Sequence, residues 1–240
     1  MDKLIYTIMS GAEGAFHAQQ VHANNLANAD TPGFRADYAV AQAQAVDAYG
    51  YDSRHFSAAA SDVVSLRSGS LRETGRDLDV AITGAGYLAV EFDGGEAYTR
   101  AGSIQVDSEG ALTLNDRPVM GDGGPIIVPP YRALAVSSDG TISILPEDGD
   151  AMQEVDRLKL VDADAAMIKN TAGLLVSRNG MPLEASDTVR VQGRTLESSN
   201  VSAVEEMVAV MDLSRQFEIQ MKVYQAAERM VEAGNRLVRE

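Results

Sequence analysis

Hydrophobic positions fall into three regimes along the 240 residues. Between residues 2 and 29 they follow alternating steps of three and four: Ile5, Ile8, Ala12, Ala15, Gln19, His22 and Leu26, with Met9 and Phe16 widening the stripe. This is a heptad-like seam on a helix, apolar early and weaker late. Thr31-Pro32-Gly33 ends it, because the residue before proline resists the α region and glycine permits a turn. The rise of an α-helix makes this a rod of ~42 Å. Between 201 and 238 a second seam runs through Val210, Leu213, Phe217, Tyr224, Ala227, Val231 and Val238. Val223, Met230 and Leu237 form another line at sevens, so this helix, ~57 Å long, has more than one neighbour. Ser202-x-x-Glu205 reads as its capping box, with Ser199 and Asn200 as alternative caps.

The middle has a different period. "LDVAIT", "GYLAVEF", "EAYTR", "GALTLN", "PIIVPP", "ALAVSS", "GTISIL", "RLKLVD", "GLLVSR" and "TVRVQG" read as short strands, punctuated by Gly84, Asp93-Gly94-Gly95, Gly110, Asp139-Gly140 and Asp148-Gly149. Turns every eight to twelve residues predict an all-β domain built of hairpins. Residues 35–75 lack a clear period and read as an extended connector. The expected class is α+β: an N-terminal axial helix and motif over 1–34, the connector over 35–75, a β-domain over 76–195, and a C-terminal helix over 196–240. The two terminal helices should form a coiled-coil-like domain. A β-domain of this size is only about 30–35 Å across, so the helices overhang it. Their seams must be covered by each other or by further copies. A lone chain that leaves them bare should fray at both ends.

Composition narrows the function. The formal net charge is −15, and Lys and Arg never cluster, which disfavours nucleic acid and anionic membrane surfaces as partners. Cysteine is absent, which excludes disulfides, thiolate metal sites and cysteine nucleophiles. No stretch approaches the 18 apolar residues of a membrane span, and the N-terminus does not read as a cleavable signal. Export would therefore need another route.

Candidate chemistry is thin. His17 and His22 are five apart rather than the four that place two ligands on one helical face. Gly84-Ala85-Gly86-Tyr87-Leu88-Ala89 matches the dinucleotide-binding fingerprint, but an alternating strand follows it instead of a helix, so a tight turn is the better reading. Asp148 and Asp150 lack calcium-loop spacing. Asp162 and Asp164 have no partner to make an acid–base pair, and Asn200-Val201-Ser202 is better explained by helix capping than by glycosylation. No cofactor, metal, small-molecule substrate or enzyme activity is expected.

The two ends carry a resemblance. "ANNLANADTPGF" (23–34) looks like the amino-terminal motif of the bacterial flagellar basal-body rod family, the axial proteins of rod and hook. "LESSNVSAVEEMVAVMDLSRQFEIQMKVYQ" (196–225) is similar to that family's carboxy-terminal motif. "MDKLIYTIMSGA", "LDVAITGAGYLAVE" and "EAYTRAGS" resemble its F-type, proximal-rod branch; the distal-rod branch and other hook-type proteins are the alternatives. The likeness is strong at the ends, moderate over 69–110 and slight over 111–190.

That resemblance implies a structural subunit exported by the flagellar type III apparatus without a cleaved signal. It implies stacking with copies of itself and other rod subunits, inside the basal-body rings, into a hollow shaft that crosses the periplasm and transmits torque. The assembly interface then expected comprises Ile5, Ile8, Asn24, Asn25, Leu26, Asn28, Pro32, Gly33, Asn200, Val201, Met207, Met211, Phe217, Tyr224 and Val231. Within it, Asn24, Asn28 and Asn200 are candidate register-setting contacts, because a buried amide penalises misalignment. For Asn28 simple helix termination is an equal reading. Two other classes remain open: a secreted regulator or chaperone that caps another protein's helices, and, far behind, a cell-wall enzyme.

Overall fold

The computed structural model describes residues 2–45, 55–59, 63–162 and 167–239. Helix α1 (Asp2–Ala27) opens the chain, helix α2 (Ala203–Arg239) closes it, and short strands fill the span between. The class is α+β. Contacts divide the chain into two units: Met1–Ala29, Ala36–Ser65 and Val201–Glu240 form one, and Asp30–Arg35 with Leu66–Asn200 the other. The chain thus passes between them four times.

In the helical unit α1 and α2 lie side by side. Gly11 faces Gln220 and His22 faces Glu206, so the two run antiparallel. Ala12, Ala15 and Val21 of α1 and Ala227 of α2 are buried, and Leu213, Phe217, Tyr224 and Val231 are half-buried along the seam. Ser202 stands at the cap position of α2, its carbonyl accepting the Glu206 N–H at 3.0 Å. A Cβ on Gly11 would sit 3.3 Å from the Gln220 amide, so the small residue sets how closely the helices approach.

Of the stretch expected as an extended connector, Ala36–Ser65 falls in this unit and residues 66–75 in the other. Asp37–Tyr38 pairs antiparallel with Val63–Val64, and Ala41–Ala45 with His55–Ala59. The second pair sits on α1: Ser57 N–H donates to Ser10 Oγ at 3.4 Å, and a Cβ on Gly14 would meet Ser57 Oγ at 3.0 Å. The strand "AQAQA" (41–45) alternates only alanine and glutamine, residues of low β propensity, so periodicity does not announce it.

The second unit is all-β. Its largest sheet has five strands in the order Leu160–Val161, Tyr87–Phe92, Gly95–Thr99, Leu175–Ser177, Met167–Lys169. A three-stranded sheet runs Tyr131–Val136, Thr141–Pro146, Gln153–Arg157. Asp93 and Gly94, at φ 52° and 73°, form the two-residue turn between Tyr87–Phe92 and Gly95–Thr99, the geometry that matches strand twist. Leu88, Val90, Ile104, Leu112, Ile142 and Leu158 belong to one buried cluster. "PIIVPP" (125–130) differs from expectation: only Pro125 lies in a strand, Gly124–Pro125, Ile127 makes a single bridge to Ala111, and Pro129-Pro130, which lack the N–H a ladder needs, end the segment. Gly84 and Gly86 form a turn leading into the strand Tyr87–Phe92.

A buried ion cluster ties this unit together. Glu197 accepts from Arg35 at 2.9 Å, from Arg100 at 3.1 Å and from the Gly69 N–H at 2.9 Å. Arg35 and Arg100 are 5% and 4% exposed, and Glu197 2%. Arg100 also donates to the carbonyls of Ile82 and Gly84 and lies over the Tyr87 ring. Burial lowers the pKa of Arg100 and Arg35 pushes the same way, while Glu197 opposes both. Gly33 (φ 72°) donates its N–H to the Glu197 carbonyl at 2.8 Å; a Cβ there would lie 2.2 Å from the Arg100–Ala101 peptide. Lys169 donates to the Arg35 carbonyl and covers Phe34. The stop signal Thr31-Pro32-Gly33 is therefore a docking element, not only a terminator.

Glu197→Gln should lower stability by about 3–5 kcal/mol in urea unfolding, since it strands two buried guanidinium groups. A loss below about 1 kcal/mol would mean that the cluster does not hold the unit together. A second prediction concerns alkali. Tyr98 is pushed up to about 12 by burial, against which the Leu183 N–H acts, with Glu96 adding to the rise. A raised folded pKa contributes stability that is complete below the unfolded value of ~10 and is lost as pH climbs toward the folded one. Unfolding free energy should fall between those values, and less steeply in Tyr98→Phe.

Candidate functional site

The residues expected at the interface separate into three groups. Pro32, Gly33 and Asn200 belong to the β unit. Asn200 donates its side-chain amide to the Arg67 carbonyl at 2.8 Å and its N–H to the Phe34 carbonyl at 3.4 Å. The amino- and carboxy-terminal motifs thus meet there, through Gly33–Glu197 and Phe34–Asn200. Sequence reasoning did not find Arg35, Arg100 or Glu197. The available signal was three charged residues within or beside apolar, glycine-bearing motifs.

The asparagines form the second group, and the structure sorts them. Asn25 is fully buried. Its amide donates to the Asp37 carbonyl at 2.9 Å and accepts the Asp37 N–H at 2.9 Å. A side-chain amide here replaces a strand partner, pinning the end of α1 to the chain that leads into Asp37–Tyr38. Asn25 also approaches Glu206 of α2 at 3.5 Å, and the same carboxylate holds the His22 ring at 2.5 Å. Asn28 folds back on its own helix, donating side chain and backbone to the Asn24 carbonyl at 3.0 and 3.2 Å, the termination reading. Asn24 is exposed. Asparagine, a mediocre helix former, is used where helix must give way to turn.

The third group is apolar. Ile8, Leu26, Val201, Phe217, Tyr224 and Val231 are half-buried, and the Ile5 side chain lies outside those described. Met207 and Met211 remain 51% and 50% exposed. They continue with Val204 and Val208 as one exposed ridge over the first turns of α2, and Tyr6, Met9 and Phe16 are exposed on α1. Farther along the same helix pair an apolar groove of about 440 Å³ opens between α1 and α2. Ile8, Met9, Ala12, Phe16, Phe217, Met221 and Tyr224 line it, with Glu13 at its margin. Among the described residues no helix is apolar and long enough to cross a membrane, and no cluster of ligating side chains could hold a metal.

Comparison with known proteins covers the chain. The family "Flagella basal body rod protein" matches residues 5–35, "Flagellar hook protein FlgE/F/G D1 domain" 81–144, and "Flagellar basal body rod FlgEFG protein C-terminal" 192–237. The central match extends the likeness well beyond residue 110. The flagellar basal-body rod protein FlgF of Escherichia coli strain K12 is 40% identical over 249 residues, with 99% of each chain covered. The protein of the same name from Salmonella typhimurium is also 40% identical, again over 99% of each. A rod protein named FlgG, from Bacillus subtilis, is 25% identical over 97% of each chain. With the two terminal motifs built into the fold as described, the chain belongs to the flagellar basal-body rod protein family, on its F-type branch.

Proposed function

We propose that this protein is a proximal-rod subunit. It leaves the cell through the flagellar type III apparatus and stacks with its own copies and other rod subunits into a hollow shaft. That shaft spans the periplasm within the basal-body rings and transmits torque. The single observation that carries the reading is the apolar surface left over after α1 and α2 have covered each other's inner seam. Exposed methionines and valines at regular helical spacing on a terminal helix are the surface expected of a coiled-coil-like partner of further helices. Each such side chain contributes about 1.5–3 kcal/mol when fully buried, so a handful is enough to drive assembly. The inner seam differs from the bare one expected of a lone chain: the two ends of the chain meet and cover part of it, with Phe217 and Tyr224 left half-buried at the groove. The relatives at 40% identity carry the F-type name, which supports the proximal position over the distal one. These names belong to rod proteins, which leaves the cell-wall-enzyme reading without support.

Met207→Asp with Met211→Asp should leave the purified chain folded, with an unchanged circular-dichroism spectrum, and abolish motility in cells that depend on it. Full motility would remove the exposed ridge from the assembly surface. Asn24 and Asn25 should behave oppositely. Asn25→Leu deprives two backbone groups of Asp37 of their partners and should cost about 2–4 kcal/mol in denaturant unfolding. Asn24→Leu should stay within ~0.5 kcal/mol of the parent, yet disturb rod formation if Asn24 sets register between neighbours. Normal rods from Asn24→Leu cells would end that role.

A further inference from the structure

Two heptad lines of exposed charge run along α2, one acidic near its start and one basic beyond it, with Glu218, Glu228 and Glu232 exposed at other heptad positions. Glu205 and Asp212, seven residues apart, share one exposed face near its start. Arg215, Lys222, Arg229 and Arg236 then recur every seven residues, all exposed, in a chain whose net charge is −15. A spacing of seven keeps side chains on one face of a helix, and these positions point away from the seam. The apolar features are sorted the same way: the Val204–Met211 ridge lies at the acidic end and the groove at the basic end.

We propose that the occupant of the groove is the acidic, methionine-bearing start of α2 of a second copy, displaced along the helix axis. This rests on the rod-subunit reading and specifies its contact. Because the heptad repeats, parallel steps of 10, 17 or 24 residues would each bring Glu205 and Asp212 beside two cations. The step of 10 uses Arg215, which already faces Asp212 of its own chain at 4.0 Å. The step of 24 carries the ridge to 228–235, past the α2 residues that line the groove. The step of 17 pairs Glu205 with Lys222 and Asp212 with Arg229, cations with no ion pair among the described residues. It also brings Val204 beside Met221 and Met207 beside Tyr224, both lining the groove. The step of 10 likewise sets Met207 beside Phe217 and Met211 beside Met221, and the step of 17 sets Met211 beside Glu228, so it is the unengaged cations that single out the step of 17, an axial stagger of ~26 Å. Ridge and groove are different surfaces, so the contact is heterologous and leaves one of each free for the next copy, the condition for an open helical polymer.

The absence of cysteine makes the test direct. The full-length chain carrying Glu205→Cys and Lys222→Cys is purified and exposed to a mild oxidant over a range of concentrations, beside Glu205→Cys with Arg215→Cys. All these positions are exposed, and neither pair can close within one helix, since a disulfide needs Cα atoms under ~7 Å apart. A ladder of disulfide-linked multimers from the first variant and none from the second is expected. Reversing the charges with Glu205→Lys and Asp212→Lys should weaken association by about tenfold or more in sedimentation. Adding Lys222→Glu and Arg229→Glu to the same chain should restore it. Multimers that sediment as such but link through 205 and 215, or through neither pair, would overturn this register while leaving the rod-subunit reading to the motility test. A chain that stays single at every concentration would overturn the proposal as well.

Discussion

The structure depends on closing the chain's two ends onto each other. An amphipathic helix of 26 residues and another of 37 stand at opposite termini of the sequence, each with an inner seam that water disfavours. Their antiparallel pairing buries that seam, and a polar anchor fixes its alignment at one end: Glu206 receives His22 and Asn25, and Asn25 in turn grips the backbone of Asp37. Sliding α1 by one turn would leave the buried amide and its strand-like partner unpaired. The apolar seam supplies attraction and the amide supplies position. What this pairing cannot cover is the outer row of α2, and that remainder becomes the surface from which assembly is argued.

The β unit repeats the logic with charge. Glu197 gathers Arg35, Arg100 and the Gly69 N–H, so the segments beginning at 30, passing 66–69 and ending at 200 are joined at one carboxylate. Such a cluster adds little net stability over a well-packed apolar alternative, but it specifies geometry, since removal of any member leaves a buried charge behind. The two motifs that mark the family therefore each serve both units. Asn25 and Glu206 lock the helices, while Gly33, Phe34, Glu197 and Asn200 lock segments of the β unit to one another.

Much of this was legible in the sequence, for identifiable reasons. The three-four periodicity of Phe217, Tyr224, Ala227 and Val231 located α2 and its inward face, and Asp93-Gly94 announced a hairpin because only a few residue pairs accept two positive φ angles. The groove-forming Ile8 lies on the seam read from pattern, and the exposed Met207 and Met211 entered with the family resemblance. What failed to show was non-local. Burial of Asn25 rather than Asn24 depends on Asp37, twelve residues on and in another element. The pairing of "AQAQA" depends on His55–Ala59, whose Ser57 sits against Gly14 of α1. The Glu197 cluster joins residues up to 162 apart, and nothing in local spacing foretells that Arg35 and Arg100 share one carboxylate.

The fourfold passage of the chain between its two units has a kinetic side. Most of the β unit is a contiguous stretch in which hairpins such as Tyr87–Phe92 with Gly95–Thr99 are closed by longer pairings such as Val80–Thr83 with Arg190–Gly193. The helical unit needs α1 and α2, which the whole of residues 66–200 separates in the chain, so its contact order is high and its closure late. Until residue 201 and beyond are free to fold, the inner face of α1 has no mate and the groove does not exist. A chain still on the ribosome therefore lacks the groove, and anything that seats there must wait until α2 has emerged and packed on α1.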